Sequence, residues 1–180
     1  MEPQRVEDHA RTFWVIEPRY TTIQFSIKNL IFLTVNGRFL DFTGMVELDE
    51  NDIRRSSVDA VIQAASVETG IKRRDEHLRA ADFLDVRKYP EIRFQSTSVE
   101  RGRDRDALVV KGILTIKEKS KEIVLNVTET DRSRSPQGEE VAYYGALVNI
   151  DRHDFGISYG RWLFGRTVRV MIQVQATRQR

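Results

Sequence analysis

Apolar and polar residues alternate along much of the chain. Residues 22–29 place Ile23, Phe25 and Ile27 on one face and Gln24, Ser26 and Lys28 on the other. Residues 167–177 repeat the pattern, with Val168, Val170, Ile172, Val174 and Ala176 set against Arg169, Gln173, Gln175 and Thr177; Met171 interrupts the polar face. A period of two is that of a half-buried antiparallel strand. Further strands are predicted over 13–16, 35–48, 57–67, 91–100, 107–116, 123–127 and 141–150. Within 35–48 the apolar phase shifts between Phe39 and Phe42, which predicts a bulge or bend near Leu40 and Asp41. The charged stretch 101–106 reads as a hairpin loop and 132–140 as a polar loop. One short, strongly charged helix is predicted over 71–81, opened by Thr69 or Gly70, with Leu78 and Ala81 three apart.

Eight or nine strands with one helix imply an all-β domain, either a closed antiparallel barrel or a sandwich. A barrel of about eight strands either fills with its own side chains or holds one small ligand. Phe25, Phe39, Phe42 and Phe94 are large enough to do the first or to line an apolar tunnel. At 180 residues the chain reads as a polar tail over 1–12 and a single domain over 13–178.

Composition removes several chemistries. The chain has no cysteine, so disulfides, iron–sulfur clusters and thiolate zinc sites are excluded. Lys and Arg number 29 against 27 Asp and Glu, interleaved along the chain. That is a solvated surface and not a nucleic-acid stripe. The N-terminal residues lack the apolar core of a secretory signal, which predicts a cytoplasmic protein, or a periplasmic one if a leader has been removed. Gly156-Ile157-Ser158-Tyr159-Gly160 matches the nucleophile-elbow pattern, but no Asp, Glu or His follows Ser158, so a serine hydrolase is not expected. His9, His77 and His153 lack a recognised metal-ligand spacing, and no metal or cofactor is expected.

The run Arg74-Asp75-Glu76-His77-Leu78-Arg79-Ala80-Ala81-Asp82-Phe83-Leu84-Asp85-Val86, continuing to Tyr89-Pro90 and Ile92-Arg93-Phe94, resembles the central motif of the YceI-like family. Trp14 to Pro18, Gly37-Arg38-Phe39, Phe42-Thr43-Gly44, Lys111 to Ile116 and Ile150 to Ile157 match further family segments in order. The resemblance implies a lipocalin-like closed barrel of about eight strands with a helical segment by one end. It also implies a long apolar ligand, a polyisoprenoid or fatty-acyl chain, held in the barrel, and the expected function is a non-catalytic carrier of such a chain. Three positions depart from the family pattern. Tyr20-Thr21 stands where a His-Ser pair is common, Asn29 where a histidine is common, and Gly165-Arg166-Thr167 where acids are common.

The apolar phase then names a candidate lining: Phe25, Ile27, Phe39, Phe42, Phe94, Leu114, Leu125, Leu147, Val168 and Val170. The same side chains could instead fill the core. Arg74 beside His77, with Arg73 and Arg79, could meet an anionic head group, since guanidinium suits phosphate. The alternative is a plain charged helix with Arg74–Asp75 and Arg79–Asp82 as local pairs. Trp162-Leu163-Phe164 between two glycines could be a flap, a membrane-touching tip or wall packing. Expected partners are therefore a long-chain lipid, a peripheral membrane contact and a second copy of the chain, but no nucleic acid. An enzyme acting on such a lipid, or a filled barrel working through its surface in a stress response, are the competing functions.

Overall fold

The computed structural model describes residues 11–180. Most of the expected tail, with His9, lies outside the described residues; Arg11 and Thr12 already belong to the first strand. In chain order the elements are β1 (Arg11–Ile16), β2 (Thr22–Asn29), β3 (Thr34–Phe39), β4 (Phe42–Asp49), β5 (Ser57–Gln63), β6 (Val67–Glu68), α1 (Lys72–Arg79), β7 (Glu91–Arg101), β8 (Ala107–Ile116), β9 (Lys119–Arg134), β10 (Glu140–Asp151) and β11 (Phe164–Arg178).

The strands pair in the order β1, β4, β5, β7, β8, β9, β10, β11, and β11 returns to β1. Every pairing is antiparallel and the wall is a closed eight-stranded barrel. The sandwich is thereby excluded. β2, β3 and β6 prolong three of the walls at the end away from the chain termini: β2 pairs with β11, β3 with β2, and β6 with β3.

Each of those walls is one long strand broken by a local device. Pro18 opens a 3₁₀ turn between β1 and β2, where a residue without an N–H cannot serve the ladder. The break between β3 and β4 falls at Leu40–Asp41, where the apolar phase shifts. The break between β5 and β6 is the 3₁₀ turn Ala64–Ser66. The last two breaks interlock: Leu40 N donates to Ser66 O at 3.3 Å, and Gln63 N donates to Asp41 O at 2.9 Å. These two bonds tie the β3–β4 break to the β5–β6 break.

The lower end is closed. Trp14, only 1% exposed, packs with Leu48, Ala142 and Ala176. Arg132 lies over the Trp14 ring at 5.2 Å and donates to Glu129 at 2.9 Å and Glu50 at 2.7 Å. A larger cluster runs up one side of the barrel, from Val99 and Val110 through Phe94 and Leu114 to Phe155. Two inward glycines make room for rings: Gly37 lies under Phe25 and Gly112 under Phe94.

The wall also has a split. β9 and β10 pair from Arg134–Glu140 as far as Asn126–Leu147 and no further. Above that, residues 119–125 pair only with β8, and residues 148–151 only with β11. A cleft of about 490 Å³ occupies the gap, with Phe155 of the 3₁₀ turn Arg152–Phe155 among its lining residues.

Several expectations change in detail. β9 continues to Arg134, so the polar loop shrinks to 135–139. The helix is Lys72–Arg79, shorter at both ends than expected. Gly156 and Gly160 both adopt positive φ in the loop before β11, so the nucleophile-elbow geometry of strand, sharp turn and helix is absent there.

Candidate functional site

On β2, β3 and β11 the inward side chains are only half-buried. Ile23, Phe25 and Ile27, Val35 and Phe39, and Val168, Val170 and Ile172 share one face, and their neighbours Gln24, Lys28, Arg38 and Arg169 are exposed on the other. Phe39 packs against the core cluster, which fixes this face as the inside. These side chains stay half-buried because the space beside them is not filled with atoms, and the split between β9 and β10 leaves that interior open. Phe25 and Phe39 meet there with ring centroids 5.7 Å apart. The upper interior is thus an apolar hollow above a packed floor.

The candidate lining divides into three groups. Phe25, Ile27, Phe39, Leu125, Val168 and Val170 are inward and half-buried. Phe42, Phe94 and Leu114 are buried, the last two in the core cluster, so they build the wall and leave little surface free. Leu147 is a correction. It is 42% exposed on the outer face, opposite Met171, and its neighbours Ala146 and Val148 hold the inward phase. In 141–150 both phases are apolar, so period two could not choose between them.

The polar candidates are already engaged. Arg74 donates from Nε to Thr69 Oγ1 at 2.7 Å and from Nη2 to Thr69 O at 3.0 Å. Buried Asp75 accepts from the N–H of Thr69 at 2.8 Å and from its hydroxyl. Arg79 donates to Ala65 O and Val67 O, each at 2.7 Å. The local pairs Arg74–Asp75 and Arg79–Asp82 therefore do not form. Both arginines tie α1 to the chain before it, and Asp82 takes His77 instead, Nε2 to Oδ2 at 2.8 Å. The His77 ring stands edge-on to Phe83 at 5.0 Å and to Tyr159 at 4.9 Å. That cluster clips the segment after α1 to the loop between β10 and β11.

The Gly165-Arg166-Thr167 departure has a local partner, because Arg166 Nη2 meets Asp151 at 2.6 Å. Asn29 accepts from Ile31 N and Leu33 N and so caps the β2–β3 turn. Buried Arg152 donates to the carbonyls of Ile157, Tyr159, Phe164 and Gly165 and pins the whole loop between β10 and β11. Burial lowers its pKa from the ordinary arginine range.

Sequence reasoning missed one group. Tyr144 pairs with Glu129 across β10 and β9, beside Arg132, at the floor of the barrel. Burial, reinforced by the Glu129 charge, pushes the Tyr144 phenol up to about 12. Glu129 falls in the phase of Ile123, Leu125 and Val127, and an acid in an apolar phase was the readable signal. The bulge opposite Tyr143 and Tyr144, which brings Arg132 onto the same side, was not readable.

A barrel with a sealed floor and an apolar upper interior suits an apolar guest. The family profile of the YceI-like domain matches residues 14–176. The chain belongs to the YceI-like family. It is 32% identical to the protein YceI of Escherichia coli O157:H7 over 164 residues, which cover 91% of this chain and 85% of the relative. The solved YceI protein of Campylobacter jejuni superimposes with a TM-score of 0.71 and 27% identity, over 81% of this chain and 86% of that one. A solved polyisoprenoid-binding domain from Saccharophagus degradans shares the fold, with a TM-score of 0.68 and 15% identity over 91% and 97% of the two chains. The matched YceI-like span runs from the Trp14 floor to Ala176 on β11 and so includes the floor, the hollow and the α1 clip.

Proposed function

We propose that this chain is a non-catalytic carrier that holds a long-chain apolar lipid, of the polyisoprenoid or fatty-acyl type, in the upper half of the barrel. The observation that carries the reading is the half-burial of Phe25, Ile27, Phe39, Leu125, Val168 and Val170 on the inner wall. Burying a methylene contributes about 0.8 kcal/mol before ordering costs, so a chain of a dozen or so methylenes binds by area alone. Phe42, Phe94 and Leu114 shape the wall behind it. The Tyr144–Glu129–Arg132 floor limits how deep an apolar chain descends, because those groups are satisfied by one another and gain nothing from a methylene. The YceI-like family and the shared fold of a polyisoprenoid-binding domain support the reading.

The test is mass spectrometry of an organic extract of the natively purified protein, with an unrelated protein from the same host as control. A stoichiometric prenyl or acyl species is expected. An empty extract that stays empty after incubation with prenols and fatty acids overturns the reading and leaves a barrel that works through its surface.

A further inference from the structure

The β2–β3 hairpin ends in four consecutive large apolar residues, Leu30, Ile31, Phe32 and Leu33, between 61% and 88% exposed. Such a run on a folded surface is a liability unless something covers it. The turn is held firmly in that presentation. Asn29 Oδ1 accepts from the N–H groups of Ile31 and Leu33 at 3.1 and 2.8 Å, and Asn29 O accepts from Phe32 N at 3.1 Å. Phe32 sits at φ +62°, a conformation a bulky side chain adopts at a cost and one concentrated at functional positions. Leu30 N donates to Leu163 O at 2.9 Å, which sets Trp162, 74% exposed, in the adjoining segment.

The two chain segments that build the tip carry charge of one sign. Residues 21–40 and 155–180 contain no Asp or Glu. Lys28 and Arg161 are exposed beside the tip and have no carboxylate partner among the described residues. We infer that the Leu30–Leu33 tip and Trp162 dock this barrel onto an anionic lipid bilayer, with Lys28 and Arg161 facing the head groups. Tryptophan and exposed aliphatic side chains favour the interface, and basic residues draw them to a negative surface. A second copy is the weaker occupant, since tip-to-tip contact would bring Lys28 and Arg161 of both copies together. The inference rests on the carrier reading: docking brings the barrel's upper end to the membrane in which such a lipid resides.

The chain supplies its own probe, because Trp14 is buried in the floor and Trp162 is exposed, so a vesicle-induced blue shift in emission reports Trp162. The experiment compares vesicles of phosphatidylcholine alone with vesicles of equal parts phosphatidylcholine and phosphatidylglycerol, read by emission and flotation. Phe32→Asn removes the ring but keeps a residue that tolerates positive φ, so the turn survives. The expected result is a blue shift and flotation with the anionic vesicles, a loss of about tenfold or more in partitioning for F32N, and loss of the anionic preference for the Lys28→Glu, Arg161→Glu double variant. Absence of flotation on anionic vesicles, or flotation unchanged in F32N, overturns the proposal, as does a dimer that F32N dissolves. Uptake of a soluble fluorescent fatty acid and of a short-chain fluorescent prenol, measured without vesicles on wild type and F32N, separates the two readings. If uptake persists while docking fails, only the docking is wrong; if uptake fails in both, the carrier reading is wrong.

Discussion

Replacing Gly37 and Gly112 each by alanine puts one methyl group against an aromatic ring at two places on the barrel wall. At Gly37 the new Cβ falls 2.2 Å from Cζ of Phe25, and the nearest atoms all belong to that ring. At Gly112 it falls 2.4 Å from Cζ of Phe94 and 2.7 Å from the backbone oxygen of Gln95. Phe25 is half-buried beside the hollow, whereas Phe94 is locked in the core cluster. Overpacking costs about 1–3 kcal/mol when neighbours cannot move. Gly112→Ala has no escape, since a carbonyl must shift as well, and a cost near 3 kcal/mol is expected. Gly37→Ala only needs the ring to swing into open space. That costs about 1 kcal/mol; alanine offsets about 0.4–1 kcal/mol at both positions by restricting the unfolded chain, so the two variants differ by about 2 kcal/mol. Urea denaturation with an unchanged slope reads the difference, which corresponds to roughly 4–8 °C in Tm for a chain of this size. The displaced Phe25 ring also takes the room of about two methylenes, so G37A weakens chain binding about tenfold. If the two variants cost the same and ligand binding is untouched, Phe25 is wedged as tightly as Phe94 and there is no hollow.

Other outcomes follow from single groups. Tyr144, with its phenol raised to about 12 by burial, favours the folded state fully below the unfolded value near 10, and that contribution is lost as pH rises from about 10 to 12. Its size is roughly 2–3 kcal/mol; absorbance titration of the five tyrosines shows one late step that Tyr144→Phe removes, and a late step that persists in Y144F refutes the assignment. Arg152→Lys cannot reproduce the fork that serves four carbonyls and costs about 3 kcal/mol or more. A thermal melt unchanged in R152K would mean that loop is pinned by other contacts. His77→Ala lowers stability by less than about 1.5 kcal/mol, because its exposed Asp82 contact is weak and only ring packing is lost. If H77A also lowers fatty-acid uptake tenfold, His77 touches the ligand and does more than clip the loop.

Much of this fold was legible because period two records which residues share a side. β2 alternates throughout and β11 breaks its alternation only at Met171, the Leu40–Asp41 break shows as a phase shift, and the charged run 101–106 marks its hairpin. The end of β9 was not legible, since residues 129–134 are polar on both faces and only pairing with β10 makes them a strand. The Arg74 and Arg79 contacts were illegible for a related reason. Their partners are backbone carbonyls and a threonine placed by the turn before α1, and a carboxylate nearby in sequence gives no warning of that.

By itself, then, the sequence determined an all-β chain of the YceI-like kind and the alternation of its walls. Tertiary structure alone decided which apolar phase of 141–150 faces inward, leaving Leu147 outside, and which inner rings meet atoms and which meet space. It also decided that Leu30–Leu33 and Trp162 come together on one exposed end. The physical reason is range. Alternation is a property of neighbours along one strand, whereas inside, filled and adjacent are set by barrel closure, which joins residues as far apart as Trp14 and Arg178.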